Sequence, residues 1–164
     1  MHKDNKIIVA LDFSSADEAL RLVDQLMPSE CRLKVGNELF TRAGPTFVGK
    51  LVNRGYSVFL DLKFHDIPNT VASAIKAACE LGVWMVNVHA SGGQDMLEAA
   101  KKAIDSFEGK KPLLTAVTIL TSLDDSDLIK QGHTQNVERL VLQYALLAQK
   151  IGLDGVVCSA KEAD

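Results

Sequence analysis

The chain has 164 residues, of which 47% are hydrophobic and 24% charged; these are ordinary values for one globular domain with a real core, and they exclude a disordered or low-complexity chain. A formal net charge of −3 leaves no basic excess to neutralise a nucleic-acid polymer, although a single nucleotide remains open as a ligand. No apolar run approaches the roughly 20 residues that span a bilayer, and the polar start Met1-His2-Lys3-Asp4-Asn5-Lys6 lacks the apolar stretch of a secretory signal, so no membrane partner is expected and the chain reads as cytoplasmic.

Short β-branched runs alternate with amphipathic segments, the pattern of parallel βαβ units. The first strand is expected over Ile7 to Asp12. Ser14 or Ser15 can cap the helix that follows, with Asp17 and Glu18 in the opening turn where the helix dipole favours negative charge. Further strands are expected over Cys31 to Gly36, Ser57 to Lys63, Trp84 to His89 and Leu113 to Thr118, with starts 24 to 29 residues apart. Pro68 suits the first turn of the helix after the third strand. The sixth strand, Gly155 to Ser159, starts 42 residues after the fifth, which leaves room for a short helix around Ser122 to Lys130 before a long one over Val137 to Lys150. Gly55, Gly82 and Gly152 each follow a helical run, where a left-handed cap is expected.

Such units build a (β/α)8 TIM barrel or an open doubly wound sheet. No glycine-rich dinucleotide fingerprint follows the first strand, where Leu11-Asp12-Phe13-Ser14-Ser15 stands, and this favours the barrel. Barrels of this kind run to about 250 residues. The expectation is therefore a single α/β barrel domain over residues 1–164 that holds about six βα units and lacks the last two. Six strands would leave two unpaired edges, which natural proteins avoid, so a longer parent chain is expected. Cys31, Cys79 and Cys158 are odd in number and widely spaced, and read as reduced thiols.

Barrel enzymes carry their reacting groups at the carboxyl ends of the strands. The polar residues there are Asp12 on the first strand, Lys34 on the second, Asp61 and Lys63 on the third and Asn87 and His89 on the fourth. Thr118, Thr121 and Ser122 lie at and beyond the end of the fifth. Side chains at i and i+2 of a strand share a face, so Asp61 and Lys63 should project together into the barrel mouth while Leu62 packs beneath a helix. Lys34 on the neighbouring strand reaches the same space, and Asp66 lies in the next loop. A lone Asp and Lys pair reads as a self-neutralising buried ion network. Three charges from adjacent strand ends with a fourth nearby favour a working site, where a positioned ammonium stabilises a developing anion and then protonates it.

The segment Asp61-Leu62-Lys63-Phe64-His65-Asp66-Ile67-Pro68-Asn69-Thr70 resembles the signature of the orotidine 5'-phosphate decarboxylase family. Val9 to Asp12, Leu33 to Gly36, Val86 to Gly93 and Val117 to Ser122 fall in that family's order and spacing, so the resemblance covers nearly the whole chain and is nearest to the bacterial enzymes. It implies a cofactor-independent carboxy-lyase with no metal, acting in pyrimidine (UMP) biosynthesis on orotidine 5'-monophosphate to give uridine 5'-monophosphate. By the same resemblance Lys63 protonates the carbon that carbon dioxide leaves, Asp61 crowds the substrate carboxylate, and Lys34 links the network to the ribose, which Asp12 binds. Asp66, Ile67 and Thr70 would enter the site of the other subunit of a homodimer, and Thr121 and Ser122 would read the pyrimidine edge. The family's phosphate grip comes from its seventh and eighth units and has no counterpart in these residues.

Two other readings stand beside this one. A metal-dependent sugar-phosphate decarboxylase or aldolase of the same superfamily shares the Asp-x-Lys-x-x-Asp pattern but needs a further carboxylate, typically a glutamate, where this chain has Lys34. A non-catalytic nucleotide-binding barrel would need no Lys63 chemistry. Among the remaining candidates, His65 is expected to point away from the Lys63 face and His89 to lie beneath the site. His2 and His133 have no supporting context, Trp84 is expected to pack in the core at a strand start, and Glu98 to Lys102 form a solvated helix face.

Overall fold

The computed structural model describes residues 6–162; His2 and the terminal Ala163-Asp164 lie outside them. Six strands form one parallel sheet in the order β1-β2-β3-β4-β5-β6. They are β1 (Ile8–Ala10), β2 (Arg32–Gly36), β3 (Val58–Phe64), β4 (Met85–His89), β5 (Leu113–Val117) and β6 (Gly155–Val157). Sequential neighbours joined by helices are what right-handed βαβ crossovers produce, and they leave every strand's carboxyl end on one rim. This is the curled sheet of a TIM barrel. Among the described residues β1 and β6 each pair on one side only.

Burial follows position in the sheet. Four of the five residues of β4 are buried, because a central parallel strand is covered on both faces. The three-residue outer strands β1 and β6 are only partly covered. The helices are α1 (Ala16–Val23), α2 (Asn37–Asn53), α3 (Pro68–Glu80), α4 (Gln94–Asp105), α5 (Asp125–Lys130) and α6 (Val137–Ile151). Ser15 caps α1 by accepting from the Glu18 N–H, and Pro68 opens α3 where its missing N–H costs nothing. α2 breaks at Gly44, whose φ of 69° precedes Pro45. Leu33, Val35, Leu60, Val86, Val88 and Leu114 from the strands pack with Ala19, Leu51, Ile75 and Leu97 from the helices in one core.

Trp84 departs from the expectation of simple core packing. It lies just before β4, half-buried, with the Arg32 guanidinium 3.9 Å above its ring. That cation–π contact sits at the amino-terminal end of the strands, away from the reactive rim. Cys31 and Cys79 are buried free thiols, and loss of solvent pushes both above the usual thiol range; Cys158 is half-buried and also free. No helix among the described residues is long and apolar enough to cross a membrane.

Candidate active site

Four charged side chains form an alternating row across the ends of the first three strands. The Lys34 ammonium lies 2.9 Å from Asp12 Oδ1 and 3.8 Å from Asp61 Oδ2, and Lys63 Nζ lies 2.7 Å from Asp61 Oδ1. The row runs from solvent inward: the Asp12 side chain is 71% exposed and that of Asp61 only 13%. A carboxylate so sheltered needs compensating partners, and Asp61 has a cation on each oxygen. The sequence reading of one shared face for Asp61, Lys63 and Lys34 is therefore met in the geometry.

The backbone that achieves it is not a regular strand. Between β3 and β4 the paired residues are Leu60 with Val86 and then Phe64 with Val88, so β3 advances four residues while β4 advances two. Asp61, Leu62 and Lys63 form this bulge. Lys63 has φ 52°, and it is the one non-glycine residue with positive φ among those described. Left-handed backbone at such a residue costs about 1–3 kcal/mol and persists only where the surroundings hold it. The Lys63 N–H, turned out of the ladder, donates to Asn87 Oδ1 at 2.8 Å, while Asn87 Nδ2 donates to Asp61 Oδ1 at 2.7 Å. Buried hydrogen bonds to a charged group contribute about 1.5–3 kcal/mol, enough to offset the strain.

A cleft of about 180 Å³ opens over the row, lined by Leu11, Asp12, Lys34, Gly36, Asp61 and Lys63 among others. Gly36, which lines this cleft, is the register partner of Asp61. A Cβ there would stand 3.4 Å from Lys34 Nζ and 3.9 Å from Asp12 Oδ1, in van der Waals contact with the row. A broader hollow of about 620 Å³, lined by Phe13, Arg21, Gln25 and Glu38, adjoins the cleft across Asp12.

The other sequence-predicted residues stand apart from the row. Asp66 is exposed, and its Oδ1 accepts from the Ile67 N–H at 2.6 Å, turning the chain into α3. Ile67 is 66% exposed and Thr70 is exposed in the first turn of that helix. Thr121 and Ser122 lie exposed after β5, whereas Thr118 is buried with its hydroxyl donating to the Val157 carbonyl. None of Asp66, Ile67, Thr70, Thr121 and Ser122 lines the charged cleft.

His65 and His89 meet, with ring centroids 5.4 Å apart and planes tilted by 43°. His65 is exposed, but strand parity does not describe it because the bulge intervenes. Burial first, then the neighbouring His65 and Lys63, hold the His89 imidazole below its usual range, so it favours the neutral form. Sequence reasoning noted Asn87 but gave it no task. The available signal was a polar amide between Val86 and Val88 in a strand buried on both faces, where an unpartnered amide is too costly to keep. Among the described residues no group of three or more His, Cys, Asp and Glu side chains stands together as a metal site.

Comparison with known proteins fits this arrangement. Residues 5–164 match the model of the orotidine 5'-phosphate decarboxylase / HUMPS family. An orotidine 5'-phosphate decarboxylase of Tolumonas auensis is 60% identical over 158 residues, which cover 96% of this chain and 68% of that protein. One from Escherichia coli is 56% identical over 160 residues, 98% of this chain and 65% of the relative. The crystal structure of orotidine 5'-phosphate decarboxylase from Lactobacillus acidophilus superposes with a TM-score of 0.90 at 40% identity, covering 97% of this chain and 73% of the other. At 21% identity, the enzyme from Methanocaldococcus jannaschii complexed with inhibitor BMP shares the fold with a TM-score of 0.76, over 94% of this chain and 67% of its own.

Proposed function

The chain belongs to the orotidine 5'-phosphate decarboxylase / HUMPS family, and from that membership we propose that it supplies the catalytic residues of a carboxy-lyase converting orotidine 5'-monophosphate to uridine 5'-monophosphate. The observation that carries the reading is the Asp12, Lys34, Asp61, Lys63 row, with the Lys63 ammonium fixed beside the sheltered Asp61 carboxylate. In this reading two further βα units close β6 onto β1 and supply the phosphate grip.

The chemistry explains why such a row is useful. Breaking the ring-carbon to carboxylate bond leaves an electron pair on a carbon with no adjacent carbonyl to absorb it. An enzyme can remove up to roughly 23 kcal/mol from such a barrier, and a preorganised cation in a site that excludes water is usually the largest single contribution. The Lys63 ammonium faces the developing carbanion, delivers a proton to that carbon and is left as a neutral amine. Solvent protons then restore it. Asp61 repels the substrate carboxylate, a strain relieved when carbon dioxide departs uncharged. Lys34 holds Asp61 and Asp12 in line, and Asp12, the exposed end of the row, takes the ribose hydroxyls. No step in this scheme calls on a metal or an organic cofactor.

Asp66, Ile67 and Thr70 are exposed where the chain passes from β3 into α3, as residues lent to a partner must be in a single subunit. This supports a homodimer with shared sites. In this reading Thr121 and Ser122, exposed after β5, read the pyrimidine edge of the bound nucleotide. The test is to supply the full-length protein carrying these residues with orotidine 5'-monophosphate in excess chelator. Stoichiometric carbon dioxide and uridine 5'-monophosphate are expected, at a rate unchanged by the chelator. Loss of turnover on chelation would move the reading to the metal-dependent relatives, and absence of turnover under all conditions would refute it.

A further inference from the structure

Asn87 does something that an ordinary buried amide does not. It is 0% exposed and lies opposite the β3 bulge, where three residues of β3 face one of β4. Its two polar atoms are committed to two different parts of one neighbour pair. Oδ1 accepts the backbone N–H of Lys63 at 2.8 Å, and Nδ2 donates at 2.7 Å to Asp61 Oδ1, the same oxygen that holds the Lys63 ammonium at 2.7 Å. The chemistry fixes the orientation of the amide, because an N–H needs an acceptor and a carboxylate needs a donor.

We infer that Asn87 is a positioning residue for the reaction: one side-chain amide pins the left-handed Lys63 backbone and the Asp61 carboxylate together, and so sets where the Lys63 ammonium sits. The inference rests on the functional reading above. A Lys63 freed from the clamp relaxes its φ of 52° toward the ordinary strand region, and that rotation carries the whole four-carbon side chain away from its aim. Asp61, deprived of its amide donor, swings with it. The effect belongs on the chemical step, since neither Asn87 atom lines the cleft that would receive a nucleotide.

The experiment compares Asn87→Ala, Asn87→Asp and Lys63→Ala in the full-length protein. It measures kcat and KM per folded site, counted by titration with uridine 5'-monophosphate, together with the hydrogen exchange of the Lys63 amide. Asn87→Ala should lower kcat about 100-fold, the usual cost of misplacing a reacting group by about an ångström, while KM changes less than about fivefold and the Lys63 amide loses protection. Asn87→Asp keeps the acceptor for the Lys63 N–H but sets a second carboxyl against Asp61 in place of the amide donor, so kcat should fall while the Lys63 amide stays protected. A merely structural asparagine would lower the folded fraction and leave kcat per site unmoved. If Asn87→Ala does not fold, Asn87→Asp decides alone, and native kcat per site overturns the inference. Lost turnover in Lys63→Ala with none lost in either Asn87 variant also overturns it. Full turnover in Lys63→Ala overturns the functional reading, and the inference with it.

Discussion

At the carboxyl ends of β1 to β3 the charged side chains are already engaged, at 2.9, 3.8 and 2.7 Å, around a carboxylate that a buried amide of β4 also holds. Beyond β5 the polar side chains Thr121 and Ser122 lie exposed, α6 turns Leu142 and Leu146 to the surface, and Val156 of β6 is partly open. On the proposed function, the contrast separates two demands on a catalytic barrel. Charges that stabilise a transition state must be in place before the substrate arrives, because reorganising them during reaction forfeits the gain. Groups that recognise a neutral base edge can take their hydrogen bonds from the ligand itself.

The largest effect that could break this comparison concerns Asp66, which belongs to the first region by sequence but stands outside its row. If it is lent to a partner subunit, Lys63→Ala and Asp66→Ala full-length proteins should each be inactive, and mixing them with subunit exchange should restore activity. Each heterodimer then holds one intact site and one with both defects, giving about a quarter of native activity after random exchange. Demonstrated exchange without recovery would place Asp66 in its own subunit's site.

A smaller effect sharpens the same comparison. His89 ends β4, and burial with its cationic neighbours holds it below its ordinary pKa of 6.5 in the folded state. The unfolded chain therefore binds more protons below that value. Stability should be unaffected by this group above about pH 6.5 and should decline as pH falls toward the depressed folded value. Denaturation midpoints followed from pH 8 to pH 5 should slope less steeply in His89→Gln, and equal slopes would show that His89 does not carry the dependence.

Much of this arrangement was legible in the residue pattern, and the exceptions have physical causes. Every bound of the six strands falls within two residues of its expected place, because β-branched runs between helix caps leave little choice of register. β1 and β6 came out shorter than expected, as outer strands with one pairing partner do. The pairing of Asp61 with Lys63 was foreseen from strand parity, yet the actual route is a bulge with left-handed Lys63, which no alternation of residue types encodes. Asp66 was grouped with the row by nearness in sequence. In the single subunit its Oδ1 accepts the next residue's N–H at the turn into α3, a local contact that nearness in sequence does not foretell.

The separation of chemistry from recognition is tested most directly by measuring single-turnover decarboxylation and uridine 5'-monophosphate affinity side by side in full-length Lys63→Ala and in the Thr121→Ala, Ser122→Ala double variant. Lys63→Ala should lose about 10⁴-fold or more in rate while affinity changes by less than about tenfold. The double variant should bind about 10- to 100-fold more weakly, as loss of two hydrogen bonds implies, yet react at saturation within about tenfold of the native rate. A Lys63→Ala protein that keeps a tenth of its rate, or a double variant whose loss falls on the rate and not on binding, would contradict the account.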